Sequence, residues 1–159
     1  MISECKKKEI FNILYVINDA AIKYKDVIPD NCWHEPYMSK QELVNEFCNG
    51  VRMYGYKKNN KLIGVMGVQK LRNVTLIRHA YTLTHYQGIG IGKLLMEYLL
   101  EMNQSTCWLV GTWNNATWAI QFYKKFGFIL LEKKETVKLL KKYWKIPLNQ
   151  IKNSVVLRK

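Results

Sequence analysis

Tyr86-Gln87-Gly88-Ile89-Gly90-Ile91-Gly92-Lys93-Leu94-Leu95 sets three glycines within five residues, where a hydrophobic segment, Val74 to Leu83, gives way to a helical pattern. From Ile91 the apolar residues fall at 91, 94, 95, 98, 99 and 102, which is one face of an α-helix. A glycine-rich turn feeding a helix leaves several backbone N–H groups unpaired and pointing one way. Those donors and the positive end of the helix dipole both favour an anion. Glycine matters here because a side chain would hold a pyrophosphate away from the backbone. The stretch therefore predicts a site for a phosphorylated ligand.

Spacing narrows the ligand. A Walker A loop needs Gly, four residues, then Gly-Lys-Ser/Thr; counting back from Gly92-Lys93 gives Gln87, and Leu94 follows the lysine. The dinucleotide fingerprint G-x-G-x-x-G fails too, since Gly88 and Gly90 would require a third glycine at Lys93. What remains is Gln87-x-x-Gly90-x-Gly92. It resembles the Arg/Gln-x-x-Gly-x-Gly/Ala loop of GNAT-type N-acetyltransferases, which in that family holds the pyrophosphate of acetyl-coenzyme A.

A second segment points the same way. Asn114-Asn115-Ala116-Thr117-Trp118-Ala119-Ile120-Gln121-Phe122-Tyr123-Lys124-Lys125-Phe126-Gly127-Phe128 resembles the family's other signature, an Asn-led helix carrying Ala-x-x-Phe-Tyr-x-x-x-Gly-Phe. Read from the residues alone, Asn114 or Asn115 caps a helix, positions 119, 122, 123 and 126 share a face, and Gly127 stops it. Two motifs in the right order are far less probable by accident than either alone. With its flanking strands the resemblance covers Lys61 to Glu132. It implies a GNAT-like fold of α/β (α+β) class, a mixed, mostly antiparallel central sheet flanked by helices.

Length and composition agree. At 159 residues the chain reads as one domain over 1–159, and 48% apolar residues with 13% aromatics argue against disorder. No apolar run reaches the length of a membrane span, and Met1 to Lys8 lacks the apolar core of a signal peptide. The expectation is a soluble, cytoplasmic protein. Cys5, Cys32, Cys48 and Cys107 form no C-x-x-C pair and no metal-ligand spacing with the three histidines, so they read as reduced thiols and no metal is expected. A net charge of +13 invites a nucleic-acid reading, but the lysines are dispersed, clustering only at 6–8, 57–58, 133–134 and 141–142. A coenzyme bearing several negative charges is drawn to the same surface.

The rest of the chain supplies a scaffold. Lys6 to Lys25 has helical periodicity through Ile10, Ile13, Leu14, Ile17, Ala21 and Tyr24. Val27 to Tyr37 is a loop, and Ser39 with Glu42 forms a capping box for a short helix ending at Asn49-Gly50. Three strands follow, Val51 to Lys57, Leu62 to Gln69 and Val74 to Leu83, with turns that make an antiparallel meander. After the glycine loop and its helix come a strand at Thr106 to Gly111, the Asn-led helix, a strand at Phe128 to Leu131, a helix at Glu135 to Trp144 and a last strand at Ser154 to Leu157.

Acetyl transfer from a thioester to an amine needs a held coenzyme, a neutral amine, a donor for the oxyanion and a proton for the thiolate. The resemblance assigns coenzyme binding to Gln87, Gly88, Ile89, Gly90, Ile91, Gly92 and Lys93, and pairing with the pantetheine arm to the backbone of Tyr81, Thr82 and Leu83. A backbone N–H there is the natural oxyanion donor. Tyr123 stands at the place of the family's general acid, where a phenol stays protonated at neutral pH. Asn115, or Asn114, is implied at the coenzyme as well as at the helix cap. Many members place a glutamate on the strand before the loop; Val74 to Leu83 has none, which leaves His79 or a water relay as the base. The acceptor amine falls to the loop between the first two helices, whose Trp33, Glu35 and Tyr37 suit a cation.

Two other readings follow from the same residues. One is a GNAT-like module that binds acyl-CoA without turnover, which the missing strand glutamate favours. The other is a basic nucleic-acid-binding protein. The acceptor's identity is not written in the sequence, and the oligomeric state is open, a homodimer included.

Overall fold

Three runs rich in β-branched and other apolar residues between Val51 and Leu83 pair in sequence order, as tight polar turns between apolar runs dictate. The computed structural model describes residues 1–159, which gather into two units. The first comprises Met1–Ile22 and Glu35–Thr106. Its strands are β1 (Ile2–Glu4), β2 (Val51–Lys58), β3 (Lys61–Lys70) and β4 (Thr75–Thr82), antiparallel and adjacent in that order. β1 was not expected: a three-residue strand is too short to show a period.

Helix α1 (Ile10–Ala21) packs on β3 and β4 and buries Ile13, Val16, Ile17, Ala20 and Ala21. It is shorter than the periodicity of 6–25 implied, because Lys7–Glu9 and Ile22–Tyr24 wind into 3-10 turns. Helix α2 (Lys40–Cys48) opens on the expected capping box. The Glu42 N–H donates to Ser39 Oγ at 3.2 Å, and the Ser39 N–H to Glu42 Oε2 at 2.6 Å.

Helix α3 (Ile91–Met102) follows the glycine loop and packs on β2, β3 and β4. Leu95, Met96 and Leu99 are fully buried, and each such side chain contributes about 1.5–3 kcal/mol. Gly64 on β3 sets the approach. A methyl group there would lie 2.6 Å from Ile91 Cγ2 and 3.3 Å from Leu95 Cδ1, so α3 lies against bare backbone.

The second unit comprises Lys23–His34 and Cys107–Lys159. It contains β5 (Trp108–Trp113), α4 (Thr117–Lys124), β6 (Ile129–Leu130), α5 (Lys133–Tyr143), α6 (Leu148–Lys152) and β7 (Ser154–Arg158). Although last in the chain, β7 runs between β5 and β6, antiparallel to both. Helix α6 has only five residues, too few to show a period in the sequence.

The α/β class holds, with mostly antiparallel strands flanked by helices. No helix is long and apolar enough to cross a membrane. No group of three or more His, Cys, Asp or Glu side chains is arranged to hold a metal ion.

Candidate active site

The glycine loop is anchored before it begins. The Leu83 N–H donates to Ile63 O at 2.9 Å, continuing the pairing of β3 and β4. The Thr84 N–H donates to Asp19 Oδ2 on α1 at 2.7 Å. Residues Thr84–Tyr86 then make a 3-10 turn, closed by Tyr86 N–H to Leu83 O at 2.8 Å. The Gln87 side chain reaches back, its Nε2 donating to Thr82 O at 3.1 Å. Gln87 thus braces the loop, and the N–H of Leu83 is already committed. Antiparallel alternation turns the N–H of Thr82 away from β3, leaving it as the outward donor of this stretch.

Beyond this anchor the backbone is left-handed at Gly88 (φ +78°) and Gly90 (φ +92°). Gly90 caps α3 without any side chain, and the first intrahelical bond is Leu94 N–H to Gly90 O at 3.0 Å. The N–H groups of Ile91, Gly92 and Lys93 therefore form the helix's donor end. A methyl group built on Gly88 or Gly90 would meet nothing within 4 Å. The loop thus faces open space with bare backbone, and Ile89 is exposed between the glycines. Lys93 adds an exposed positive charge, 3.7 Å from Glu97 one turn on. A diphosphate fits these features: donors, a dipole's positive end, and room that only glycine leaves.

Ahead of the loop, β4 is not the regular strand its alternation suggested. Gly67 pairs with Arg78 but Val65 with Tyr81, so His79 and Ala80 together oppose Met66. This is a β-bulge, and His79 takes the left-handed conformation at its first position (φ +51°). A regular strand would put His79 on one face with Ile77, Tyr81 and Leu83; the extra residue breaks that period of two. His79 Nε2 instead lies 2.6 Å from Glu46 Oε2, and Arg78 Nη2 donates to the same oxygen at 2.7 Å. Arg78 Nη1 also donates to Gln69 Oε1 at 3.0 Å.

Glu46 is the residue that sequence reasoning missed. It lies on α2, 33 residues before His79, and nothing local marks it. Burial alone would raise its carboxyl, but the hydrogen bonds and charges of His79 and Arg78 outweigh that and hold it below the ordinary carboxylate range. Burial draws the Arg78 guanidinium down against the pull of Glu46.

In the second unit Tyr123 is 6% exposed, on the buried face of α4 with Ile120. The Phe122 and Phe128 rings meet it near edge-on, at 5.2 and 5.8 Å between centroids. Burial, helped by Tyr24, pushes its phenol well above the usual tyrosine range, so it is protonated throughout the neutral range. The helix ends as the sequence suggests. Gly127 is left-handed (φ +84°), with Phe128 N–H to Tyr123 O at 3.3 Å and Gly127 N–H to Lys124 O at 3.0 Å. Its start does not. The cap residue is Ala116 and no side chain caps it, which corrects the capping role expected of Asn114 or Asn115. The Asn114 N–H is held by Asn153 O at 2.8 Å, and Asn115 O accepts from the Thr117 N–H at 2.9 Å.

Of the acceptor-loop residues, Tyr37 stands edge-on to Tyr81 on β4, ring centroids 6.5 Å apart. Next to it, Met38 exchanges two hydrogen bonds with the Asn18 side chain of α1, at 2.8 and 2.9 Å. Glu35 is exposed and Trp33 half-buried, the latter in the second unit.

The glycine loop and the helix of Tyr123 are the two segments on which the resemblance to the GNAT acetyltransferases rests, and comparison with known proteins shows the family. The model of the acetyltransferase (GNAT) domain family matches residues 49–130, and the chain belongs to that family. It is 36% identical over 102 residues to the UPF0157 protein YqkA of Bacillus subtilis (strain 168). That match covers 62% of the chain but only 28% of the length of YqkA. Among solved structures, the PaiA N-acetyltransferase of Thermoplasma acidophilum in complex with coenzyme A has a similar fold, with TM-score 0.73 and 16% identity over 100% of this chain and 97% of that one. A GNAT family acetyltransferase of Elizabethkingia anophelis with acetyl-CoA bound gives TM-score 0.63 and 18% identity over 99% and 95% of the two chains.

Proposed function

We propose that this acetyltransferase moves the acetyl group of acetyl-CoA to a primary amine by direct attack in a ternary complex. The observation that carries the reading is the loop from Gln87 to Lys93. There Gly88 and Gly90 are left-handed with open space before them, at the donor end of α3. A diphosphate so placed gains about 0.3–1 kcal/mol per charge from the helix end, up to ~2 when partly buried. Acetyl-CoA supplies the activated thioester. Gly88, Gly90 and Gly92 offer backbone donors to its pyrophosphate, Lys93 adds a charge, and Gln87 fixes the loop's entry. The outward N–H of Thr82 is the donor proposed for the developing oxyanion. Asn115 is proposed at the coenzyme without the capping role.

Tyr123 is proposed as the group facing the departing sulfur. Its raised phenol is a weaker acid than a free tyrosine, so its contribution is chiefly a hydrogen bond from Oη, with the proton following as the thiolate leaves. For the acceptor, Tyr37, Glu35 and Trp33 are proposed to receive a cationic amine before it is deprotonated. Its proton goes to His79. A cytoplasmic setting suits these substrates.

The test is a screen for thiol release from acetyl-CoA with spermidine, tyramine, a lysine ester, kanamycin and a peptide with a free N-terminal amine. Acetylated product from any of them supports amine transfer. Release that tracks hydroxyl-bearing controls instead, with no amide formed, overturns it.

A further inference from the structure

We propose that Glu46 is a positioning residue. It holds His79 as the Nε2–H tautomer, so that the lone pair on Nδ1 takes the proton of the acceptor ammonium. This deepens the amine-transfer reading above and rests on it.

The geometry carries the argument. An ionised carboxylate can only accept, so a contact of 2.6 Å between Glu46 Oε2 and His79 Nε2 makes that nitrogen the donor. In a neutral ring, Nδ1 is then the acceptor. It makes no hydrogen bond to the protein. Arg78 keeps Glu46 charged by donating to the same oxygen at 2.7 Å, and is itself steered by Gln69 Oε1 at 3.0 Å. Gln69 is fixed in turn, its Nε2 donating to Asn49 O just past the end of α2 at 2.8 Å. The three side chains at the centre of these contacts are partly buried, with side-chain exposures of 14% for His79, 19% for Glu46 and 16% for Arg78.

Joining α2 to β4 needs only the Arg78–Glu46 pair. The imidazole is an addition, and its backbone is left-handed, a conformation uncommon in residues other than glycine. Backbone outliers of this kind cluster at functional sites. The bulge also lies on the strand that runs directly into the coenzyme loop. In the proposed step the ammonium N–H bond breaks and its electron pair stays on the amine nitrogen. A bond forms between the proton and Nδ1. The imidazolium is stabilised by Glu46, which keeps its charge and takes no proton, and Nδ1 later returns the proton to water. The carboxylate absent from β4 is thus replaced, through an imidazole, by one from α2.

Long-range proton–nitrogen NMR of the full chain labelled at histidine nitrogen tests this, with the His79 signals assigned from a His79→Gln sample. At pH 7.5 the wild type is expected to show a protonated Nε2 and a bare Nδ1. Glu46→Gln should lose that preference while keeping a folded backbone spectrum. With the best amine of the screen its kcat should fall at least tenfold, while the dissociation constant for acetyl-CoA stays within twofold. Glu46→Asp, which keeps the charge, should recover part of both. A protonated Nδ1 in the wild type, as the other tautomer or as imidazolium, overturns the proposal, and so does a kcat within twofold in Glu46→Gln. Should a variant fail to fold, the wild-type ring still decides. Absence of acetyl-CoA binding on the same samples would instead sink the transferase reading, so the two failures are distinguishable.

Discussion

At Gly90 the chain needs two things at once, a left-handed backbone and no side chain. Gly90→Val supplies neither. A β-branched residue at φ +92° is strained by roughly 1–3 kcal/mol, and its methyl groups enter the space proposed for the pyrophosphate. We expect a lower melting temperature and a dissociation constant for acetyl-CoA raised about tenfold or more, a loss of ~1.4 kcal/mol. Tyr123→Phe separates binding from chemistry. It removes one oxygen from a packed ring, so coenzyme binding should hold while turnover drops by about a hundredfold. Unchanged turnover would take Tyr123 out of the mechanism. Glu46 bears on stability as well. Its carboxyl is depressed in the fold, so its stabilising contribution is complete above the unfolded value near ~4.3 and is lost as pH falls through the lower folded value. Urea unfolding should therefore show the wild type's advantage over Glu46→Gln at pH 7 shrinking steadily as pH drops below about 4. The glycines and Tyr123 were legible because each sits in a contiguous motif. Glu46 was not, because its meaning comes from a partner 33 residues away. Asp19, which pins Thr84 from 65 residues away, was hidden for the same reason.

Elements set where these residues can be. Helix α3 reaches β3 only because Gly64 has no side chain, and the donor end of that helix is the glycine loop proposed to hold the coenzyme. Gly64→Ala should push Ile91 and Leu95 outward and cost about 1–3 kcal/mol in urea unfolding, as overpacking does. Long periodic elements were readable from sequence. The helix at 91–102, the meander from Val51 to Thr82 and the capping box at Ser39 all formed as pattern and turn chemistry dictate. Other elements depart from their pattern. The bulge at His79 adds one residue to an otherwise regular alternation, and alternation alone cannot show it. Strand β1 and helix α6 are shorter than their own periods can establish. Helix α4 begins after Ala116 with no side-chain cap; the Asn114 N–H is held by Asn153 O, and Asn115 O accepts from the Thr117 N–H.

For the molecule as a whole, the net charge of +13 suits the polyanionic coenzyme proposed above. A coenzyme with several negative charges should bind less tightly as salt rises, because screening shortens to about 10 Å at 0.1 M. A dedicated nucleic-acid binder would show a far steeper salt slope with DNA or RNA and no need of acetyl-CoA. The decisive measurement is calorimetric titration of the full chain with acetyl-CoA, with ATP and NAD as controls at the same ionic strength. Saturable binding of one acetyl-CoA per chain, weakened about tenfold or more in Gly90→Val and not matched by either control, is the predicted result. Equal binding of all three nucleotides, or none, would contradict the reading of the loop at Gln87 to Lys93.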